Sequence, residues 1–357
     1  MNSALDRIIA AGDDERRDLF TGAAGRLGTA VQNIEKDFWV CWTLDVLFNR
    51  LQGDHPRLLF KGGTSLSKAF GLITRFSEDI DVTVFREDIG AAATVEDLEA
   101  LSGKKQRERL AAIKAACQAY IGGPLLDELT ALTAAVMTNA KVADNRWRVE
   151  LDKDDADQQT LLLWYPTVTA PLGDYVRSAI KIESGAKSAL DPHVPADVKP
   201  YIADDLEYLD LTIKGVTTVE ATRTFWDKII ILHGLRRWHD ERGELRHGGQ
   251  RVSRHYYDVE RLLASPIANS ALDDIDLGLD CARHARMFFN SKDLDLVHAT
   301  PGSFAIAPSA AMIEPLRKDY EAMAGMVFGP LPDFNALVAE IQSLQNRLNQ
   351  PRRKGGR

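Results

Sequence analysis

Apolar residues recur at helical spacing over residues 34–51, where Phe38, Trp42, Val46 and Leu47 fall on one side of a predicted helix. Residues 4–24 read as a more polar amphipathic helix. The apolar run 58–60 is too short for a helix and predicts a buried strand, broken by Gly62 and Gly63. Thr64 can cap a helix running to about Phe70, and Gly71 ends it. A second strand is expected over 80–85. Residues 94–121 are charged, alanine-rich and helical, ending at Gly122-Gly123-Pro124. The stretches 146–151 and 161–165, joined by the acidic turn 152–157, predict a hairpin. Residues 178–183 predict another strand and 207–213 one more. From residue 220 the period becomes helical throughout: 220–240, with Phe225, Ile229, Leu232 and Leu235 on one side, then 253–263, 268–290, 309–325 and 333–348.

Strands before residue 215 and helices after it predict an α+β domain over 1–215 and a mainly helical domain over 216–350. The basic tail 351–357 is expected to be disordered. The chain has 357 residues, 45% of them hydrophobic, which is enough to bury a sizeable core. A net charge of −8 argues against a protein that coats nucleic acid nonspecifically, though not against a nucleic-acid substrate held in a local basic groove. Cys41, Cys117 and Cys281 are widely separated and show neither a disulfide framework nor zinc spacing, which points to a reducing cytoplasm. The N-terminus lacks a basic-then-apolar leader pattern. No apolar run approaches the roughly 18 residues of a membrane span.

The candidate chemistry lies between the first two strands. The stretch Phe60-Lys61-Gly62-Gly63-Thr64-Ser65-Leu66 is followed by Arg75-Phe76-Ser77-Glu78-Asp79-Ile80-Asp81-Val82. Side chains alternate across a strand, so Asp79 and Asp81 project from one face. Like charges so close repel unless a cation sits between them. Two carboxylates beside a glycine-rich turn suit a divalent metal and a triphosphate, the minimal equipment for nucleotidyl transfer. Taken singly, a Gly-Gly turn or an Asp-x-Asp is common on ordinary turns and solvated strands; it is their combination that is specific.

These motifs resemble those of the AbiEii-type nucleotidyltransferase toxins, within the DNA polymerase beta superfamily. The resemblance extends through Ser178-Ala-Ile-Lys-Ile-Glu183, Thr224-Phe-Trp-Asp-Lys228-Ile and Arg254-His-Tyr-Tyr-Asp258-Val. It implies a nucleotidyltransferase-type mixed β-sheet flanked by helices, with the helical C-terminal domain contributing to the active site. It also implies a toxin of a type IV toxin–antitoxin or phage-defence pair, with a cognate antitoxin. The reaction implied is metal-dependent transfer from an NTP to RNA, the tRNA 3′ end leading, with pyrophosphate released.

Residue by residue, Asp79, Asp81, Lys228 and Asp258 are the expected catalytic residues. Lys61, Gly62, Gly63, Thr64, Ser65, Ser77 and Lys228 are expected on the nucleotide. Thirteen residues separate Ser65 from Asp79 and fifteen separate Gly63 from it, so which of these contacts phosphate stays open. Asp79 and Asp81 would hold Mg²⁺ or Mn²⁺, with Glu183 the first choice for a third carboxylate and Glu150 and Asp152 its rivals. Each also has a bland reading: Glu183 as a surface acid paired with Lys181, Ser77 as a turn residue, Lys228 as a lysine with its head in water, Asp258 as a helix cap. The arginines at 236, 237, 242, 246, 251 and 254 are candidates for an RNA-phosphate patch. Two rival functions remain: transfer to a protein or small-molecule hydroxyl, and a degenerate NTP-binding regulator.

Overall fold

The computed structural model describes residues 2–170 and 178–350. The chain divides into two compact units, Met1–Val219 and Glu220–Arg357. The basic tail 351–357 lies outside the described residues.

The first unit contains helices α1 (Ser3–Ile9), α2 (Asp13–Leu27) and α3 (Val31–Asp45), strand β1 (Leu58–Lys61), helix α4 (Gly62–Lys68) and strand β2 (Ile80–Val84). Helices α5 (Val95–Glu99), α6 (Gly103–Tyr120) and α7 (Leu126–Asn139) follow. Strands β3 (Arg148–Leu151), β4 (Thr160–Trp164), β5 (Ala179–Gly185), β6 (His193–Val198) and β7 (Ile213–Val219) complete it. The seven strands form one sheet in the order β3-β4-β5-β2-β1-β7-β6. It is mixed: β1 pairs antiparallel with β2 and parallel with β7, while β2 runs parallel to β5. β2 is therefore the middle strand, covered on both sides by hydrogen-bonded neighbours. Its apolar Ile80, Val82 and Val84 are buried, whereas Asp81 on the opposite face is only half-buried.

α3 packs against β5 and β7 and is enclosed on every side, all thirteen residues from Asn33 to Asp45 being buried. Its aromatic residues anchor it: Trp39 stacks on Tyr165 at 5.3 Å and meets Trp42 edge-on at 5.6 Å.

Several elements differ from the sequence expectation. The first helix is two, broken at residues 10–12, and the 34–51 helix ends in a wide π-helical turn, Val46–Arg50. The breakers Gly122-Gly123-Pro124 do not stop the helix. They sit in a second π turn, Ile121–Leu125, which leads directly into α7. The strand expected over 207–213 is a loop up to Thr212, and only Ile213 joins β7. The Asn2 side-chain amide donates to the carbonyls of Asp210 and Thr212, and Asp210 Oδ1 accepts from the Thr212 backbone N–H. Local side-chain bonds thus satisfy backbone groups that a strand would have paired.

The second unit is helical in its described residues: α8 (Ala221–Arg242), α9 (Ser253–Leu263), α10 (Ala268–Asp273), α11 (Ile275–Phe288), α12 (Ala310–Ala322) and α13 (Phe334–Asn349). α9, α10 and α11 pack on α8, and α12 and α13 on α9. Gly278 lets α11 approach closely, since a Cβ there would lie 2.7 Å from the Trp226 ring. Among the described residues no helix is long and apolar enough to cross a membrane. All three cysteines are buried free thiols.

Candidate active site

Asp81 lies between two charged partners in register: Lys61 on β1 and Glu183 on β5. Residues directly opposite on paired strands share a face, so these three side chains form a row across the sheet. Asp79 lies just before β2, where Glu183 and Asp81 both act on its carboxyl. Lys61 Nζ lies 3.8 Å from Asp81 Oδ1, and Lys181 Nζ lies 2.6 Å from Glu183 Oε1. Of the three carboxylates considered as a third acid, Glu183 is the one in register with Asp81. Glu150 sits on β3, at the far edge of the sheet, bound to Arg148 at 3.0 Å and Trp164 Nε1 at 2.8 Å. Asp152 follows β3 and caps a turn through the Asp154 backbone N–H.

The field at Asp79 is strongly negative. Burial, then the neighbouring carboxylates of Glu78, Glu183 and Asp81, push its carboxyl up to about 6, against the opposing charge of Lys36. A cation placed there would relieve this repulsion, and the donors are hard oxygens, as Mg²⁺ or Mn²⁺ require. Among the described residues no three His, Cys, Asp or Glu side chains already converge as a metal cage. The set still fits Mg²⁺, which is usually bound by one or two carboxylates plus substrate phosphates rather than by an all-protein cage.

The glycine turn is built against these acids. Gly62 has φ +79°, and a Cβ on it would lie 2.1 Å from Asp81 Oδ2. A Cβ on Gly63 would meet Arg75 Nη2 at 2.5 Å. The hydroxyls next to the turn are used internally. Thr64 donates to the Asp79 carbonyl and lies 2.8 Å from the Ser77 hydroxyl, and Ser65 donates to the Gly62 carbonyl at 2.9 Å. Thr64 and Ser65 are buried, while Lys61, Gly62, Gly63 and Ser77 are partly exposed.

Lys228 and Asp258 meet within the second unit, on α8 and α9. Lys228 Nζ is 2.7 Å from Asp258 Oδ2, and both side chains are buried. The lysine head is therefore not in bulk water. Three of the six candidate arginines after Lys228 are paired with carboxylates: Arg236 with Asp240, Arg237 with Asp240 and Asp295, and Arg242 with Asp293.

The sequence analysis assigned no role to Lys36, Arg75 and Glu78, all buried, or to Lys68, whose side chain is buried. For Lys36 the available signal was the run Glu35-Lys36-Asp37 set between Ile34 and the apolar stretch 38–42.

Residues 45–340, most of the chain, match the family described as nucleotidyl transferase AbiEii toxin, type IV toxin–antitoxin system. No curated protein matches the sequence. Among solved structures, the fold is similar to MenT4, a nucleotidyltransferase toxin from Mycobacterium tuberculosis H37Rv, at a TM-score of 0.50 and 14% identity, covering 94% of this chain and 90% of that one. With the Gly-Gly turn, the two aspartates and the mixed sheet already in place, a match of this extent has one consequence: the chain belongs to the AbiEii nucleotidyltransferase toxin family of type IV toxin–antitoxin systems.

Proposed function

We propose that the protein transfers a nucleotide from an NTP to the 3′ end of an RNA, with tRNA the leading acceptor, and that it requires Mg²⁺ or Mn²⁺. The observation that carries the metal and nucleotide part is the row Lys61, Asp81 and Glu183 across three adjacent strands, with Asp79 just before β2 under the field of Asp81 and Glu183. Asp79 and Asp81 hold the metal, with Glu183 as the third acid. A divalent ion held by these carboxylates would supply charge neutralisation for the triphosphate. Lys61, Gly62, Gly63 and Ser77 face the nucleotide. Thr64 and Ser65 shape the turn through the bonds they already make. Lys228 and Asp258 form the cation and orienting carboxylate that the family expectation assigns to transfer, an ion pair within the second unit. An acceptor hydroxyl gives up its proton to solvent, and its oxygen forms the new bond to the α-phosphorus as the bond to pyrophosphate breaks. The RNA acceptor, a cognate antitoxin and a cytoplasmic location rest on the family.

A second reading keeps the reaction and changes the acceptor to a protein or small-molecule hydroxyl. The pairing of Arg236, Arg237 and Arg242 with aspartates favours it, because those arginines offer less charge to a phosphate backbone. The test is incubation with total RNA, Mg²⁺ and each labelled NTP in turn. It is followed by intact tRNA, tRNA with a blocked 3′ hydroxyl, and protein alone. Label that requires a free 3′ hydroxyl supports the RNA reading. Label that survives the block, or that appears on protein, supports the second.

A further inference from the structure

Charged residues rarely sit fully inside a core, and three in succession are rarer still. α3 buries Glu35, Lys36 and Asp37 to 1%, 3% and 2% exposure. Consecutive helix positions point about 100° apart, so the three side chains leave α3 in three directions. Each meets a different segment. Glu35 accepts from the Val168 backbone N–H at 2.7 Å, from the Thr167 hydroxyl at 2.8 Å, and from the Thr169 hydroxyl. Asp37 pairs with Lys68, in the last turn of α4, at 2.7 Å and accepts from the Tyr201 backbone N–H at 2.7 Å. Lys36 Nζ lies 2.6 Å from Glu78 Oε2.

Lys68 ends the helix that begins at the glycine turn, and Glu78 is the residue immediately before Asp79. A buried ion pair returns little net stability over a well-packed apolar pair, so stability alone does not explain its presence. It does supply direction, because Glu78 is tied to a helix that is itself enclosed by the core. The Lys36 charge also opposes the repulsion that Glu78, Glu183 and Asp81 exert on Asp79.

We propose that Lys36, through its ion pair with Glu78, is a positioning residue for nucleotidyl transfer. It holds the chain entering β2 so that Asp79 and Asp81 present their carboxylates together. The inference rests on the reading of Asp79 and Asp81 as the reactive carboxylates, and its test separates the two. Lys36→Met alone would leave Glu78 buried with its main counter-charge removed, at a cost of about 3–5 kcal/mol in comparable cases, enough to threaten folding itself. The informative variant is Lys36→Met with Glu78→Gln, which removes both charges. With total RNA and labelled NTP, its kcat should fall about 10²-fold, the scale of a misplaced reactive group. KM for the NTP should stay within about threefold, because binding contacts are untouched. Its melting transition should remain cooperative. Lys36→Arg, which keeps the ion pair, should recover most of the rate. A folded double variant with wild-type kcat, or with a defect in KM alone, overturns the proposal. If the double variant does not fold, Lys36→Met with Glu78→Leu, an apolar pair that removes the tether and both charges, is read by the same criteria. Asp79→Asn in the same assay is the control: if it transfers at the wild-type rate, the site reading fails. If it is inactive while the Lys36 and Glu78 variants are unimpaired, only this inference fails.

Discussion

A methyl group on Gly62 would sit 2.1 Å from Asp81 Oδ2, on a backbone already in the left-handed region at φ +79°. Gly62→Ala must therefore move either the turn or the aspartate. A strained backbone of this kind costs about 1–3 kcal/mol, so the unfolding temperature should drop modestly. Transfer should fall about 10²-fold or more, because the shifted atom belongs to the reactive carboxylate. Wild-type transfer by the Gly62→Ala variant would show that Asp81 need not stay where it is. Asp79→Asn removes charge with little change in volume. Loss of about 10³-fold in transfer is expected, with an unfolding temperature equal to or above wild type, since a like-charge neighbour is gone. Calorimetry beside the labelling assay checks both halves. At this scale the candidate residues were legible, and Lys61, Asp81 and Glu183 do fall in register. Alternation along a strand predicts Asp79 and Asp81 on one face; the strand itself begins at Ile80, so only Asp81 is held by the ladder. The spent hydroxyls of Thr64 and Ser65 were not legible, because their partners, the Asp79 and Gly62 carbonyls, become acceptors only in the folded turn.

Between elements, the informative contact is Lys228 on α8 with Asp258 on α9. Asp258→Asn removes the carboxylate charge 2.7 Å from the buried ammonium and should cost about 3–5 kcal/mol. Lost activity in that variant alone would therefore say nothing about catalysis. Lys228→Met combined with Asp258→Leu should recover most of the lost stability and none of the transfer. Recovery of both would make the pair purely structural. The helical spacing of Phe225, Ile229 and Leu232 marked α8 in the sequence. α7 and β6 were hidden for opposite reasons. α7 follows Gly122-Gly123-Pro124, which reads as a stop, yet the π turn accommodates the proline without ending the helix. β6 contains Pro195 and Asp197 and alternates exposed with half-buried positions, so it reads as loop. It is tolerated because it lies at the sheet edge, where a missing donor leaves no ladder broken.

Over the whole molecule, the division of strands and helices along the chain set the α+β class, while the strand order β3-β4-β5-β2-β1-β7-β6 depends on crossovers that no local pattern encodes. Acid sensitivity is a property of the folded molecule too. His233 is fully buried, with Nδ1 accepting from the Ala305 backbone N–H and Nε2 against the Asp295 carbonyl. Burial lowers its pKa to about 4; the Asp295 carbonyl opposes this, and Arg237 adds to it. Between pH 6.5 and 4 the unfolded chain binds this proton and the folded one does not, so stability should fall as pH drops through that window, by about 3 kcal/mol for this group. Denaturant titrations at about pH 7 and about pH 4.5 measure the fall, and His233→Gln should flatten it. An unchanged slope in the variant would assign the acid sensitivity elsewhere.

β2 is fourth of seven strands, with Asp81 and Val82 paired to β1 on one side and β5 on the other. Its amides open only when the sheet is pulled apart, not when an edge frays. In deuterated water they should be among the last in the first unit to exchange, at a rate set by unfolding of the unit as a whole. Heating or mild denaturant should therefore silence the aspartates in one step with the collapse of the sheet, leaving no partly loosened, partly active form to accumulate on the way.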